Sequence, residues 1–197
     1  MIWNKSMDKV FRVIGVDPGS QCFGLSVIDF DLETFKTSVV HSETFHATPM
    51  LDEASPIMNL GARGARHHYC RQFVTQRCRH FKPQLVCCES AFMRLKFVTA
   101  FQSLVEGIVN VRQAVADYDD TLELLLVDPP TAKKAVGAPG KGGDKLAILV
   151  ALRKLQKEQT LIFDNVDLET LDEHARDSVA IGVWGMKKWL THIAGII

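Results

Sequence analysis

The stretch V-I-G-V-D-P-G-S-Q-C-F-G-L-S-V-I-D, residues 13–29, decides the fold. One apolar run enters Asp17, Pro18 and Gly19 turn the chain, and a second apolar run leaves over residues 23–28. That is the chemistry of a β-hairpin. Asp17 stands apart from the pattern. A carboxylate at the end of a strand that should be buried is costly unless a metal ion, a lysine or backbone N–H groups meet it. Asp-Pro-Gly is also common turn chemistry, in which Asp17 would only cap the turn. The rest of the chain has to choose between these readings.

Outward from the hairpin, residues 10–16 and 22–30 read as the first two strands and residues 36–45 as a third, with Thr37, Val39, Val40 and Thr44 alternating in part. Short links between them predict an antiparallel meander. Ser55-Pro56 opens a helix, Ser as N-cap and Pro at the first helical position, that runs to about Phe81 with Gly61 and Gly64 as weak points. Residues 84–88 form a short apolar strand ending at Glu89, and a second helix follows over 97–117. Its apolar stripe of Phe101, Leu104, Val105, Ile108 and Val111 fits either a core or a subunit interface. A fifth strand at 122–127 is broken by Asp128-Pro129-Pro130, and residues 131–136 hold about one helical turn. The run G-A-P-G-K-G-G at 137–143 is a mobile loop by composition. A helix over 144–157, an irregular stretch at 159–167 with a short apolar run at 161–163, and a last helix over 168–190 complete the chain. Later strands that alternate with helices pair in parallel through crossovers. The expected fold is α/β: a mixed five-stranded sheet, three antiparallel strands then two parallel, flanked by helices.

The 197 residues predict one domain spanning 1–197, with 47% hydrophobic and 23% charged residues as in a globular core-forming chain. With 23 basic and 23 acidic residues, net charge gives no sign of a polyanion partner. Their distribution does. Between residues 54 and 105 the basic residues are Arg63, Arg66, Arg71, Arg77, Arg79, Lys82, Arg94 and Lys96, with His67, His68 and His80 among them, and the only acid is Glu89. Such segregation marks either a polyanion-binding surface or a face answered by acids from elsewhere in the fold. Five cysteines, an odd number without a C-x-x-C pair, read as thiols of a reduced, cytoplasmic protein, with Cys87 and Cys88 packing as small hydrophobes. No apolar run reaches transmembrane length, so no membrane is expected.

Two strands end in a carboxylate, Asp17 and Glu89, and ligands of open α/β sheets gather at strand ends. The last helix carries E-H-A-R-D at 173–177, where His174 and Asp177 share a face. Val179, Ala180, Val183 and Met186 continue that helix as apolar positions, which places His174 and Asp177 near its sheet-facing side. Three carboxylates and one imidazole make a poor core and a good site for Mg²⁺ or Mn²⁺. Two such ions about 4 Å apart clamp both the attacking and leaving oxygens of a phosphodiester displacement.

These motifs together resemble the RuvC-type Holliday-junction resolvases of the ribonuclease-H-like superfamily, over nearly the whole chain. G-V-D-P-G-S-x-x-x-G at 15–24 resembles the family's first motif, with Asp17 as the metal-bridging aspartate. C-E-S-A-F-M at 88–93 resembles the second, with Glu89 as a metal ligand and Phe92 as an aromatic used in opening the junction. V-D-P-P-T-A-K-K-A-V-G at 127–137 resembles the stretch before the family's basic loop. H-A-R-D-S-V-A-I-G at 174–182 resembles D-x-x-D-A-x-A-I-A, with Asp177 the second acid and His174 in place of the first.

The resemblance implies a metal-dependent endonuclease that resolves four-way junctions by paired phosphodiester hydrolysis, with two ions per site. It implies Asp17, Glu89, His174 and Asp177 as catalytic and metal-binding residues, His174 acting as ligand or as general acid or base. It implies a homodimer, so that two sites face two strands. Chemistry adds a basic cleft of Lys133, Lys134, Lys141 and Lys145, with Arg94 and Lys96 beside the site and Phe92 stacking on an unpaired base. The rival readings are a broader nuclease for branched DNA or RNA–DNA hybrids and a non-catalytic junction-binding protein. A P-loop reading of 137–143 fails, because no Gly-Lys-Ser/Thr closes it and no buried strand leads into it.

Overall fold

A computed structural model of the chain describes residues 9–19, 21–91, 98–140 and 146–195. The strands are β1 (Val10–Asp17), β2 (Cys22–Asp31), β3 (Thr37–His46), β4 (Leu85–Glu89), β5 (Leu124–Val127) and β6 (Ile162–Phe163). The helices are α1 (Gly61–Phe81), α2 (Val98–Tyr118), α3 (Pro129–Ala135), α4 (Ala147–Lys157) and α5 (Glu173–Ala194). The sheet order is β5-β4-β1-β2-β3-β6. β1, β2 and β3 pair antiparallel, and β4 joins β1 and β5 in parallel, as the hairpin and crossover patterns predict. The sheet has six strands rather than five, because the apolar run 161–163 adds two residues in parallel to β3.

Strand parity sorts side chains onto two faces. Val13, Ile28, Phe30, Leu85 and Cys87 pack with α3, α4 and α5, while Ile14, Val16, Leu25, Val27, Val86 and Cys88 pack with α1 and α2. Asp17 has the parity of Val13, and Glu89 that of Leu85 and Cys87. Both carboxylates therefore belong to the α5 face. β1 and β4 run in parallel with Val16 opposite Cys88, so Asp17 and Glu89 end side by side.

Glycines let α5 press onto that face. A Cβ on Gly15 would stand 2.2 Å from the Ser178 carbonyl oxygen and 2.5 Å from the Gly182 nitrogen. On Gly24 it would stand 2.1 Å from the His174 carbonyl oxygen, and on Gly185 2.2 Å from Cys87 Sγ. Helix and strands approach backbone to backbone, and only glycine fits between them.

Several helix starts differ from the sequence expectation. Ser55 opens a short 3-10 turn (Pro56–Leu60), and α1 begins only at Gly61, whose φ of 72° breaks the two apart. The last helix was expected from residue 168. Leu168–Thr170 instead form a separate 3-10 turn capped by Asp167, and α5 starts behind a second cap, Asp172. Each aspartate accepts a backbone N–H and fixes its own start. The α2 stripe divides: Ile108 and Val111 are buried in the core, while Val105 and Val109 are exposed. All five cysteines are free thiols, and Cys87 and Cys88 are fully buried, as small hydrophobes would be. No helix among the described residues is long and apolar enough to cross a membrane.

The basic run is answered in part by acids from other elements. Arg63 pairs with Glu106, Arg71 with Asp117 and Arg77 with Glu43.

The glycine contact predicts a specific stability defect. Gly15→Ala forces backbone against backbone, where no side chain can give way, and overpacking of this kind costs about 3 kcal/mol. The thermal midpoint, followed by circular dichroism, falls by ~10 °C. A midpoint within about 2 °C of wild type would show that α5 is free to move off the sheet.

Candidate active site

The N-terminal turn of α5 is fastened to the sheet edge-on. Asp172 accepts the Ala175 backbone N–H at 2.9 Å and the Thr44 hydroxyl from β3. Ser42 donates from β3 to the Ala175 carbonyl at 3.2 Å. Gly24 leaves room for the His174 carbonyl from below. These contacts set His174 over the end of β1, where its Nδ1 donates to Asp17 Oδ2 at 2.7 Å. Asp17 is mostly buried, its side chain 13% exposed, and His174 is 40% exposed. The cation that meets the buried carboxylate of the opening stretch is thus an imidazole, and Asp17 does more than cap a turn.

Glu89 and Asp177 face the same place. Burial pushes the Glu89 carboxyl up to about 8, helped by the nearby charges of Asp17 and Asp177. Asp177 rises to about 6, first by burial and then by Asp17. Lys133 on α3 is near enough to oppose both shifts. His174 moves the other way: its hydrogen bond to Asp17 raises its pKa and favours the imidazolium. The four residues singled out in the sequence therefore share one half-buried, net-acidic environment.

Among the described residues, no three His, Cys, Asp or Glu side chains already stand together as a metal-binding set. Asp17 is engaged by His174 instead. The donor chemistry still fits a hard divalent cation: oxygen-rich, with one imidazole, and with carboxylates whose mutual repulsion a cation would relieve.

Of the expected DNA contacts, Lys133 lies beside the acids, while Lys134 on the same short helix lies against Gly140. Phe92, Arg94, Lys96, Lys141 and Lys145 lie outside the described residues, as do residues 141–143 of the loop at 137–143. The sequence reading missed Asp172, Thr44, Ser42 and Gly24, which position α5. The signal for Asp172 was present, since an Asp just ahead of Glu173-His174-Ala175 is an N-cap pattern.

No protein-family model and no curated protein matches the sequence. Solved structures do match in fold. Thermus thermophilus RuvC, seen in complex with a Holliday-junction substrate, superposes with a TM-score of 0.62 at 17% identity, over 88% of this chain and 91% of that one. The yeast mitochondrial Holliday-junction resolvase gives 0.65 at 13% identity, over 90% and 78%. The fowlpox virus resolvase gives 0.53 at 11% identity, over 90% and 99%. The chain has the ribonuclease-H-like fold of these resolvases, as the motif resemblance implies.

Charge repulsion at the site makes a prediction about pH. Glu89 keeps its proton to about pH 8 in the folded chain, against an ordinary value of 4.5. Below pH 4.5 both folded and unfolded chains hold the proton and nothing is lost. Between pH 4.5 and 8 the unfolded chain ionises freely and the folded chain resists, so stability falls as pH rises. Glu89→Gln has no such loss. In chelator, its melting temperature should equal wild type at acid pH and exceed it by ~5 °C or more at pH 8. Divalent cation should raise the midpoint of wild type and not of the variant. Equal midpoints at pH 8 in chelator would refute the repulsion.

Proposed function

We propose that this chain is a divalent-metal-dependent endonuclease that cuts branched DNA, with the four-way junction as its substrate. The observation that carries the reading is the convergence of Asp17, Glu89, Asp177 and His174 at adjoining strand ends, in a fold otherwise found in junction resolvases. Asp17, Glu89 and Asp177 would hold Mg²⁺ or Mn²⁺, two ions per site. When bound, such ions supply an activated water and charge stabilisation at the leaving 3′-oxygen.

The chain's own residues do the rest. The parity of β1 and β4 aims the carboxylates at one point, and the capped first turn of α5 brings Asp177 to them. His174 holds a proton on Nδ1 against Asp17. Its Nε2 is then the ring atom that takes or gives a proton at the reacting oxygen, unless it turns to serve as a metal ligand. Lys133 offsets the charge of the incoming phosphodiester. Lys134, Lys141 and Lys145, with Arg94 and Lys96, would follow the backbone, and Phe92 would stack at the crossover. Two strands of a junction call for two sites, hence a homodimer, for which Val105 and Val109 on α2 offer an apolar surface.

The test uses an immobile four-way junction and a matched linear duplex, each labelled, with Mg²⁺ or with chelator. The expected result is paired, symmetric nicks in the junction alone. Asp17→Asn should lower the rate by ~10³-fold or more, the worth of several kcal/mol of lost charge stabilisation. His174→Asp, which restores a carboxylate, should cut, and His174→Ala should lose most activity. Cutting of both substrates would make this a broader nuclease. Tight junction binding without nicks would make it a binding protein.

A further inference from the structure

A second polar cleft lies between the N-terminal turn of α1 and the middle of α2, with a volume of about 680 Å³. Its side chains include Arg63, His67, His68 and Arg71 from α1 and Glu106 and Asn110 from α2. We propose that this cleft is a binding subsite for a backbone phosphodiester of the nucleic acid, next to the catalytic centre but separate from it. The inference rests on the nuclease reading only for the identity of the polymer.

Three observations converge on it. His67 is buried, its side chain 5% exposed, yet its Nε2 has no hydrogen-bond partner. A buried donor left unpaired is costly, and its position on the cleft wall points to a missing acceptor. The nearest charge is Glu106 Oε2 at 3.5 Å, too far for a good hydrogen bond, and the same oxygen is 3.1 Å from Arg63 Nε. Glu106 thus holds an anion's place between Arg63 and His67 in the free protein, and fits it poorly. The cleft also opens on the first turn of α1, which carries no acidic side chain and no side-chain cap. Backbone N–H groups there favour an anion.

The location fits a polymer that also reaches the strand ends. A Cβ on Gly107 would lie 3.0 Å from the Pro18 carbonyl oxygen and 3.8 Å from His67 Cε1. His67 and Pro18 therefore meet at Gly107, and Pro18 follows Asp17 directly in the chain. Burial keeps His67 below its ordinary pKa, so it acts as a neutral N–H donor at neutral pH. Arg71 is committed to Asp117 and Gln113, which leaves Arg63 as the cation that turns from Glu106 to the phosphate.

The experiment uses the full chain in chelator, with labelled histidine side chains followed by NMR during titration with a short DNA duplex and, separately, with inorganic phosphate. DNA should shift the His67 ring resonances. In parallel, fluorescence anisotropy over a salt series compares wild type, Arg63→Ala and Glu106→Gln. Arg63→Ala should bind ~5–20-fold more weakly and lose about one from the log–log salt slope. Glu106→Gln should bind several-fold more tightly. DNA binding that leaves His67 unmoved overturns the proposal, as does an Arg63→Ala affinity within about twofold of wild type with an unchanged slope. A His67 shift with inorganic phosphate alone also overturns it, in favour of a small-anion site. Junction cutting measured on the same preparations separates the two readings. DNA that moves His67 without being cut leaves the subsite standing and sinks the nuclease. Cutting that Arg63→Ala does not affect, with affinity unchanged, sinks only the subsite.

Discussion

The close approach of α5 to β1 and β2 is the constraint on which the rest depends. Gly15 lies against the backbone of Ser178 and Gly182, and Gly24 against the carbonyl of His174. A single methyl group at either place would lift the helix and carry His174 and Asp177 away from Asp17. The apolar positions of the helix, from Val179 to Met186, supply the burial that presses it down. The glycines set how far it descends. Position along the helix axis is set separately, by the Asp172 cap and its link to Thr44. Burial, steric clearance and capping thus fix three different degrees of freedom of one helix.

What that precision achieves is electrostatically unfavourable. Glu89 and Asp177 are driven towards their protonated forms by burial and by Asp17; Lys133 opposes both shifts and His174 that of Asp177. A chain selected for stability alone would place apolar residues at the ends of β1 and β4, since the neighbours Val16 and Cys88 are fully buried. Acids at these positions therefore cost the fold stability, as strained groups at functional sites do.

Much of this was legible because it rests on short-range rules. The hairpin at Asp17-Pro18-Gly19 is turn chemistry, and the parity that places Asp17 and Glu89 on one face follows from counting along β1 and β4. The pairing of His174 with Asp177 follows from helical spacing. What escaped the sequence depends on distant partners. β6 is two residues long, too short for any period, and exists only because β3 offers it an edge. The sequence reading starts α5 five residues early because two aspartate caps follow one another there. The basic run over residues 54–105 fits either an open surface or a face answered by distant acids, and only the fold shows that Arg71 and Arg77 are held by Asp117 and Glu43 from other elements. Charge segregation along a chain says little about segregation in space once α1 and α2 pack side by side.

His174 is where sequence and structure say the most together. In the family pattern that the chain resembles, a carboxylate stands at this position, and a fourth acid would add to the repulsion already felt by Glu89 and Asp177. An imidazole does the reverse. Its bond to Asp17 favours the charged ring, so it partly neutralises the site from within. The site is thereby less strained than an all-carboxylate one would be. If Asp17 serves as a metal ligand, as proposed, the same bond would compete with the ion for its carboxylate. The same helix turn that brings Asp177 to the buried carboxylates thus also brings the imidazole that offsets its charge.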